Sequence, residues 1–352
     1  MNLAIKYFVM VAMLCVSTFV AHAQGSAQKP IILRVQHFLG PQSIQQTQMI
    51  GGWCRAIAKD SNDRLQCQIF PAMQLGGTPP QLFDQAKDGV ADIVWTVAGY
   101  SPGRFTKTQV FELPFMMTDP AGTSRAAWDF VQKNAQDEFK GVKLLAVHVH
   151  GPGVIFSKNK PIKVMSDFKG LTLRAPTANA TKMVGLMGAT PVGMPAPQIP
   201  EALSKGVIQA TLIPWEVAPS LKVNELTKFA SETDPKFPAL YTNVFVMPMN
   251  KAKYDALPPD LQAVIDKNSG RVLSSNFAAL QSGEDVQGRK VFLETPGYQI
   301  NTIPAAELEK WRFVTNTLDA EWVASVDKRG ENGKALLQEA KELIKQNTPQ
   351  SK

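Results

Sequence analysis

Apolar residues in this chain change period repeatedly, from alternate positions to helical spacing and back. The segment ILRVQHF reads as a strand. In the next stretch Met49, Ile50, Trp53, Cys54, Ile57 and Ala58 recur at helical spacing, predicting a helix from about Ser43 to Asp60, and LQCQIF alternates again. A helix beginning near Pro79-Pro80 carries Leu82, Phe83 and Ala86, stops at Gly89 and is followed by the strand ADIVWT. Strands alternating with helices predict an α/β fold with largely parallel sheets. KLLAVHVH, residues 143–150, is apolar enough to be a central strand of the first unit.

Gly151-Pro152-Gly153 then marks a crossing into a second α/β unit, which starts with the strands VIFS and LTLR. Helices follow from about Thr177 to Leu186 and from about Pro200 to Gly206, with the strand VIQATLI after them. YTNVFVMPMN, residues 241–250, reads as a strand returning to the first unit, and the rest is mostly helical, with amphipathic segments Ala305–Ala324 and Gly333–Gln346. Two lobes are therefore expected. Residues 24–150 with about 241–288 form the first, 151–240 with about 289–346 form the second, and 347–352 are a tail. A chain of 352 residues is also too long for one compact core.

The N-terminus reads as a secretory signal: Lys6, an apolar run from Tyr7 to about Val20, then Ala21-His22-Ala23. Cleavage is expected after Ala23. The run is short for a membrane span of roughly 20 residues, and Cys15 follows Leu14 where lipid attachment would want a small residue. The formal charge of +7 is spread along the chain without a dense basic block, which argues against nucleic acid as a partner. Cys54 and Cys67 are the cysteines left after cleavage, and both point to one core face. A disulfide between them fits an oxidising compartment, and two buried thiols are the alternative.

The usual catalytic signatures are missing: no G-x-S-x-G elbow, no P-loop, no HExxH. His148 and His150 share a strand face, but no carboxylate or cysteine motif completes a metal set, so neither a metal nor another cofactor is expected. Glu112 and Asp119, in ELPFMMTDP, are assigned no acid–base role. The informative residue is Arg174. Leu171 and Leu173 take one face of LTLRAP, Thr172 and Arg174 the other, and Pro176 ends the run. A planar guanidinium at a strand end suits a carboxylate, with a surface ion pair as the alternative. An internal echo adds to this. AKDGVADIVWTVA and LSKGVIQATLIPWEVA both run helix end, glycine, strand, tryptophan, which places Trp95 and Trp215 beyond strand ends in two different lobes. Ligands of open α/β sheets bind there, so the two tryptophans are expected to face each other across a cleft.

At this point the chain resembles the solute-binding proteins of tripartite ATP-independent periplasmic (TRAP) transporters, over essentially its whole mature length. The resemblance is carried by FPAMQLGG, VFELPFM, DFKGLTLRAPTANATKMVGLMGATPVGMP, ALSKGVIQATLIPWEVAPSLKVNEL and MNKAKYDALPPDLQAVID, in that order. It implies a two-lobed, type II-like periplasmic binding protein with an interdomain cleft, a long helix bridging the lobes, and Arg174 as the carboxylate clamp. It also implies membrane subunits as partners, a periplasmic location and a monomer. Two departures stand out. HGPGVIFSKNKPI lacks the second arginine of many members, and Ile213 stands where many carry asparagine. Both make the cleft less polar than one built for a sugar acid. The expected ligand is a small monocarboxylate, aromatic or hydroxylated. Arg174 would hold its carboxylate, Phe38, Trp95 and Trp215 would form walls, and His37 or His150 would supply polar contacts. The alternatives are a binding protein of another transporter class, for amino acids or metal ions, and an exported enzyme.

Overall fold

The computed structural model describes residues 29–349, so the expected signal peptide and its cleavage site lie outside the described residues. Eleven strands form two sheets. The first is ordered β2-β1-β3-β10-β4, built from β1 (Ile31–His37), β2 (Leu65–Phe70), β3 (Ile93–Val97), β4 (Val142–Val149) and β10 (Val244–Asn250). The second is ordered β11-β9-β5-β8-β6-β7, built from β5 (Gly153–Ser157), β6 (Thr172–Ala175), β7 (Thr190–Gly193), β8 (Ala210–Pro214), β9 (Phe229–Thr233) and β11 (Gln299–Ile303). Each sheet is the framework of one lobe. The segment read as a returning strand does return, pairing antiparallel with β3 and β4.

Each sheet is largely parallel, as expected, with one reversed strand, β10 in the first and β5 in the second, and the crossings explain why. β10 and β5 are each entered directly after a passage between lobes, so each starts at the interlobe face and runs away from it. Other strands, such as β1, β3, β6 and β8, run toward that face. Accordingly β5 is antiparallel to both β8 and β9, while β1 is parallel to β2 and β3. The first passage needs glycine. A Cβ at Gly151 would lie 2.0 Å from Asp285 Oδ2, and one at Gly153 would lie 1.9 Å from the Tyr241 ring.

A third passage is the helix Arg271–Glu294, 24 residues long and hence roughly 36 Å at 1.5 Å per residue. Its first half lies on sheet one, where Ser274 Oγ accepts the Val147 N–H (3.0 Å) and Phe277 meets His148 edge to face. Its second half lies on the other lobe. Phe292 packs against Phe156 and Trp215 at 4.9 and 5.0 Å, and Gly288 sits against the Trp215 carbonyl, 2.2 Å from where a Cβ would be.

Three local expectations change. The segment Ser43–Asp60 is not one regular helix: a π-helical turn, Gln45–Ile50, precedes the α-helix Gly51–Asp60. Ala305–Ala324 is two helices, Ala305–Thr315 and Thr317–Asp327. Thr315 Oγ1 donates back to the Trp311 carbonyl at 2.9 Å, a bond that bends helices, and the break lets Trp322 donate to the Thr106 carbonyl at 2.7 Å. Finally, the helix Gly333–Asn347, grouped from sequence with the second lobe, packs on the helix Pro120–Asn134 of the first. Arg125 donates to the Asn347 carbonyl at 2.8 Å, and Lys133 pairs with Glu339. Its apolar stripe, with Ala340 and Ile344 buried, needs a partner, and sequence does not say which lobe supplies it. Among the described residues no helix is long and apolar enough to cross a membrane.

Candidate ligand site between the lobes

The strand ends that face each other enclose a cavity of about 360 Å³ including its mouth. One wall is aromatic and belongs to the first lobe. Phe38 follows β1, Trp95 lies in the fully buried β3, and Phe245 lies in β10 next to it. Their rings form a ladder: Phe38 stacks on Trp95 at 5.3 Å, and Trp95 on Phe245 at 4.5 Å with only 9° between planes. Trp95 is held in place by its Nε1–H, which donates to His148 Nε2 at 2.9 Å. Burial pushes the His148 pKa down to about 3, so the ring stays neutral and can accept that bond. The facing wall belongs to the second lobe and is aliphatic: Ile213, Pro214 and Val217.

Arg174, at the end of β6, is 2% exposed and is no surface ion-pair residue. Its Nε donates to the Met194 carbonyl (2.9 Å) and its Nη1 to the Leu212 carbonyl (2.7 Å), which fixes the plane of the guanidinium. Its Nη2 is buried and has no hydrogen-bond partner, and among the described residues no carboxylate pairs with it. Burial lowers its pKa, opposed by the Tyr100 and Tyr241 hydroxyls beside it, but a guanidinium remains charged. A buried cation without a counter-charge is expensive. The site is therefore arranged to receive an anion.

The other expected contacts divide. His150 lines the cavity, but both its nitrogens are used: Nδ1–H donates to the Gly151 carbonyl at 2.5 Å and Nε2 accepts from the Asn243 N–H at 3.1 Å. Burial, with Arg174 nearby, holds its pKa down at about 4. It offers a ring face, not a free polar atom. His37 does not line the cavity. It is wholly buried, donating from Nε2 to Gln46 Oε1 (2.6 Å) and accepting the Leu39 N–H (3.3 Å), and burial lowers its pKa. Phe38, one residue past the end of β1, lies at the cleft instead. Trp215 does not line the cavity either. Beyond the end of β8 it turns back onto the bridging helix, between Phe156 and Phe292, and donates to Glu232 Oε2 at 3.2 Å. Glu112 is buried, accepts the Val244 N–H at 3.0 Å and has its pKa pushed up by burial to about 7.

Sequence reasoning missed Tyr100, Asn243, Phe245, Gln45 and Glu216, which also line the cavity. Glu216 is the least expected: a carboxyl group 8% exposed in the apolar run after β8. Gln45, from the π-helical turn, donates to both its oxygens at 3.2 Å, and Gln281, from the bridging helix, donates to Oε1 at 2.9 Å. The Glu216 backbone N–H donates to Asp285 Oδ1 at 2.9 Å. Burial pushes Glu216 up to about 7 and, helped by the Glu216 charge, Asp285 up to about 8. The signal that could have found Glu216 is the unpaired carboxylate in VIQATLIPWEVA.

Away from the cleft, Cys54 and Cys67 are joined as a disulfide, with Cα atoms 5.7 Å apart. Among the described residues no group of three or more His, Cys, Asp or Glu side chains could hold a metal ion.

Comparison with known proteins agrees with this architecture. The model of the bacterial extracellular solute-binding proteins, family 7, matches residues 35–325. A TRAP solute-binding protein from Rhodoferax ferrireducens T118, solved with copurified benzoate, is 49% identical, with a TM-score of 0.89 over 90% of this chain and 98% of that one. A marine metagenome TRAP solute-binding protein specific for aromatic acid ligands, solved with 3-hydroxybenzoate, is 41% identical, with a TM-score of 0.88 over 91% and 99%. A third, from Bordetella bronchiseptica with bound (R)- and (S)-mandelate, is 30% identical, with a TM-score of 0.83 over 91% and 100%. Family model, fold and cleft together make this chain a member of the family 7 extracellular solute-binding proteins, the solute receptors of TRAP transporters.

Proposed function

We infer that this protein captures an aromatic monocarboxylate between its lobes and delivers it to the membrane subunits of a TRAP transporter. The observation that carries the reading is Arg174, a buried cation with a free Nη2, in the same cavity as a ladder of three aromatic rings. A carboxylate on Arg174 supplies the missing counter-charge, and a flat ring lies between the Phe38–Trp95–Phe245 ladder and Ile213, Pro214 and Val217. The relatives solved with benzoate, 3-hydroxybenzoate and mandelate support the same ligand class. The two lobes close on the ligand as bodies 29–150 with 241–288 and 151–240 with 289–332, the last helix travelling with the first.

The remaining parts of the reading follow from it. The protein is a receptor rather than an enzyme, works as a monomer in the periplasm, and begins at Gln24 after removal of residues 1–23. Mass spectrometry of exported protein checks the cleavage, and a chain retaining Met1 on membranes contradicts it. Titration calorimetry with benzoate, 3-hydroxybenzoate, mandelate, succinate and an amino acid tests the ligand class. Tight binding of the aromatic acids alone is the expected result, and recovery of the ligand unchanged separates a receptor from an enzyme. Preference for succinate or for the amino acid overturns the reading.

A further inference from the structure

The cavity is lined by two oppositely charged side-chain types, Arg174 and Glu216, and carboxylate capture accounts for only the first. Arg174 stands at the end of β6. Glu216 stands beyond the end of β8, and the two are not bonded to each other although they line one cavity. A carboxyl group placed this deep is not explained by anion binding, because it repels an anion. Nor is it a structural ion pair, since among the described residues no cation pairs with Glu216 or with Asp285. Its surroundings are built around it. Gln45 comes from the first lobe and Gln281 from the bridging helix, each giving its amide N–H₂ to Glu216 and leaving its own buried Oε1 without a partner.

The lone-pair count shows what is left over. In its ionised form, which prevails above about pH 7, the Glu216 carboxylate has about four acceptor sites. Oε1 takes one bond from Gln45 and one from Gln281, whereas Oε2 takes one from Gln45 alone. Oε2 therefore retains acceptor capacity in a cavity otherwise lined by rings, aliphatic side chains and the polar groups of Arg174, Tyr100, His150, Gln45 and Asn243, the last two each with a buried oxygen that has no partner. The group that fits is a hydrogen-bond donor carried on an apolar ring, at the end remote from the carboxylate.

We propose that the acid this protein captures carries a hydroxyl group on its ring, and that Glu216 is the residue that selects it by accepting that hydroxyl at Oε2. The proposal rests on the aromatic-carboxylate reading. Gln45 and Gln281 act as positioning residues, holding the carboxyl plane toward the cavity. The same carboxyl group disfavours a second carboxylate on the ring, so aromatic dicarboxylates are excluded by the residue that admits phenols.

Calorimetric titration of the wild-type protein and of Glu216→Met, which keeps the side-chain length and removes the acceptors, tests this. The probes are benzoate, 3-hydroxybenzoate, 4-hydroxybenzoate and terephthalate. A hydrogen bond to a charged group corresponds to about a ten- to hundredfold preference. The wild type is expected to bind at least one hydroxybenzoate about ten- to hundredfold more tightly than benzoate, and terephthalate more weakly than benzoate. In Glu216→Met the hydroxybenzoate preference falls to within about threefold of unity while benzoate binding persists. Wild-type protein that binds benzoate as tightly as both hydroxybenzoates, or terephthalate as tightly as either, overturns the proposal. So does an undiminished preference in folded Glu216→Met. If that variant does not fold, Glu216→Leu, which also removes both acceptors, replaces it, and the preference should still fall. Failure of every aromatic acid to bind would instead remove the reading on which the proposal rests.

Discussion

Trp95 and Trp215 close two segments that read alike, helix end, glycine, strand, tryptophan, yet they serve opposite sides of the molecule. Trp95 stacks between Phe38 and Phe245 in the cavity wall and is anchored by a neutral histidine. Trp215 lies against Phe156 and Phe292 under the bridging helix and is anchored by Glu232, which Arg289 holds in a bidentate pair at 2.9 and 2.8 Å. The difference arises in the strands that precede them. Trp95 is still inside β3, paired in register with His37, so the pleat decides its face. Trp215 is one residue past β8, where the pleat no longer applies and packing against Gly288 and Phe292 decides instead. Matching sequence at a strand end therefore assigns the same face only while the ladder continues.

The comparison can be broken most forcefully at Arg174, on the cavity side. Arg174→Ala is expected to weaken binding of the preferred acid by about 2–5 kcal/mol, roughly 30- to several-thousand-fold. Ligand-free protein should still unfold cooperatively, because the lost group had no counter-charge. Arg174→Lys should also bind poorly, since a point charge cannot replace the fork. Near-wild-type affinity in folded Arg174→Ala, measured by calorimetry, would place the carboxylate elsewhere.

The disulfide should behave in the opposite way. The bond joins residues 13 apart in sequence, so its removal in Cys54→Ala/Cys67→Ala is expected to cost about 3 kcal/mol of stability and leave affinity unchanged. Denaturant unfolding measures the first and titration the second. Thiol labelling of unreduced, denatured protein from the periplasm should find neither cysteine free; two labelled thiols would contradict the pairing.

The tryptophans themselves sharpen the contrast. Trp215→Phe removes a hydrogen bond to a carboxylate and should cost about 1.5–3 kcal/mol of stability with little change in affinity. Trp95→Phe also loses a buried hydrogen bond, to His148, and should cost stability, but unlike Trp215→Phe it should in addition weaken the complex through loss of ring area against the ligand. Equal effects of the two on binding would mean that both line the ligand site after all.

The smallest effect is a pH trend whose sign differs between the two sides. His148 and His150 have pKa values lowered to about 3 and 4, so the unfolded chain binds more protons and their contribution is lost as pH falls from about 6.5 toward 4. Glu216, Glu112 and Asp285 have pKa values raised to about 7, 7 and 8. Their contribution is complete below the unfolded carboxyl pKa of about 4 and is lost as pH rises through 7 to 8. Above pH 7 the histidines are neutral in both states, so the carboxyl trend stands alone there. Stability measured by denaturant should fall by on the order of 1 kcal/mol per pH unit in that window. Glu216→Gln should flatten the fall; an unchanged slope would mean that Glu216 is already ionised.

Most of the framework was legible in the sequence because pleat and helix periods report burial directly. The two lobes, the returning strand at β10, the crossing at Gly151–Gly153 and the positions of Arg174 and Trp95 in their strands follow from period and strand ends. What was not legible depends on contacts between segments far apart in the chain. Gln45 reaches Glu216 only because a π-helical turn displaces regular helix spacing, and periodicity does not announce such a turn. Phe245 enters the site on a strand arriving from beyond the second lobe. His37, expected as a polar contact, is held by Gln46 and the Leu39 N–H, partners that periodicity does not show. The helix Gly333–Asn347 showed its apolar stripe clearly but not its partner.

The passages between lobes, at Gly151–Gly153, at the entry to β10, through the helix Arg271–Glu294 and before Gly333, also bear on how the lobes can move relative to each other. The three short connections alone would allow the lobes to twist as well as to open. The helix, a rigid rod seated on Val147 and His148 at one end and on Trp215 and Phe156 at the other, removes much of that twisting freedom. Under the proposed function, closure on a ligand would then be close to one rotation about an axis behind the cavity, and the angle between the lobes a nearly single-valued gauge of occupancy. A membrane subunit reading that angle need not touch the ligand or recognise it chemically. Selectivity can then reside wholly in the cavity, and receptors with different cavities could share one angular signal.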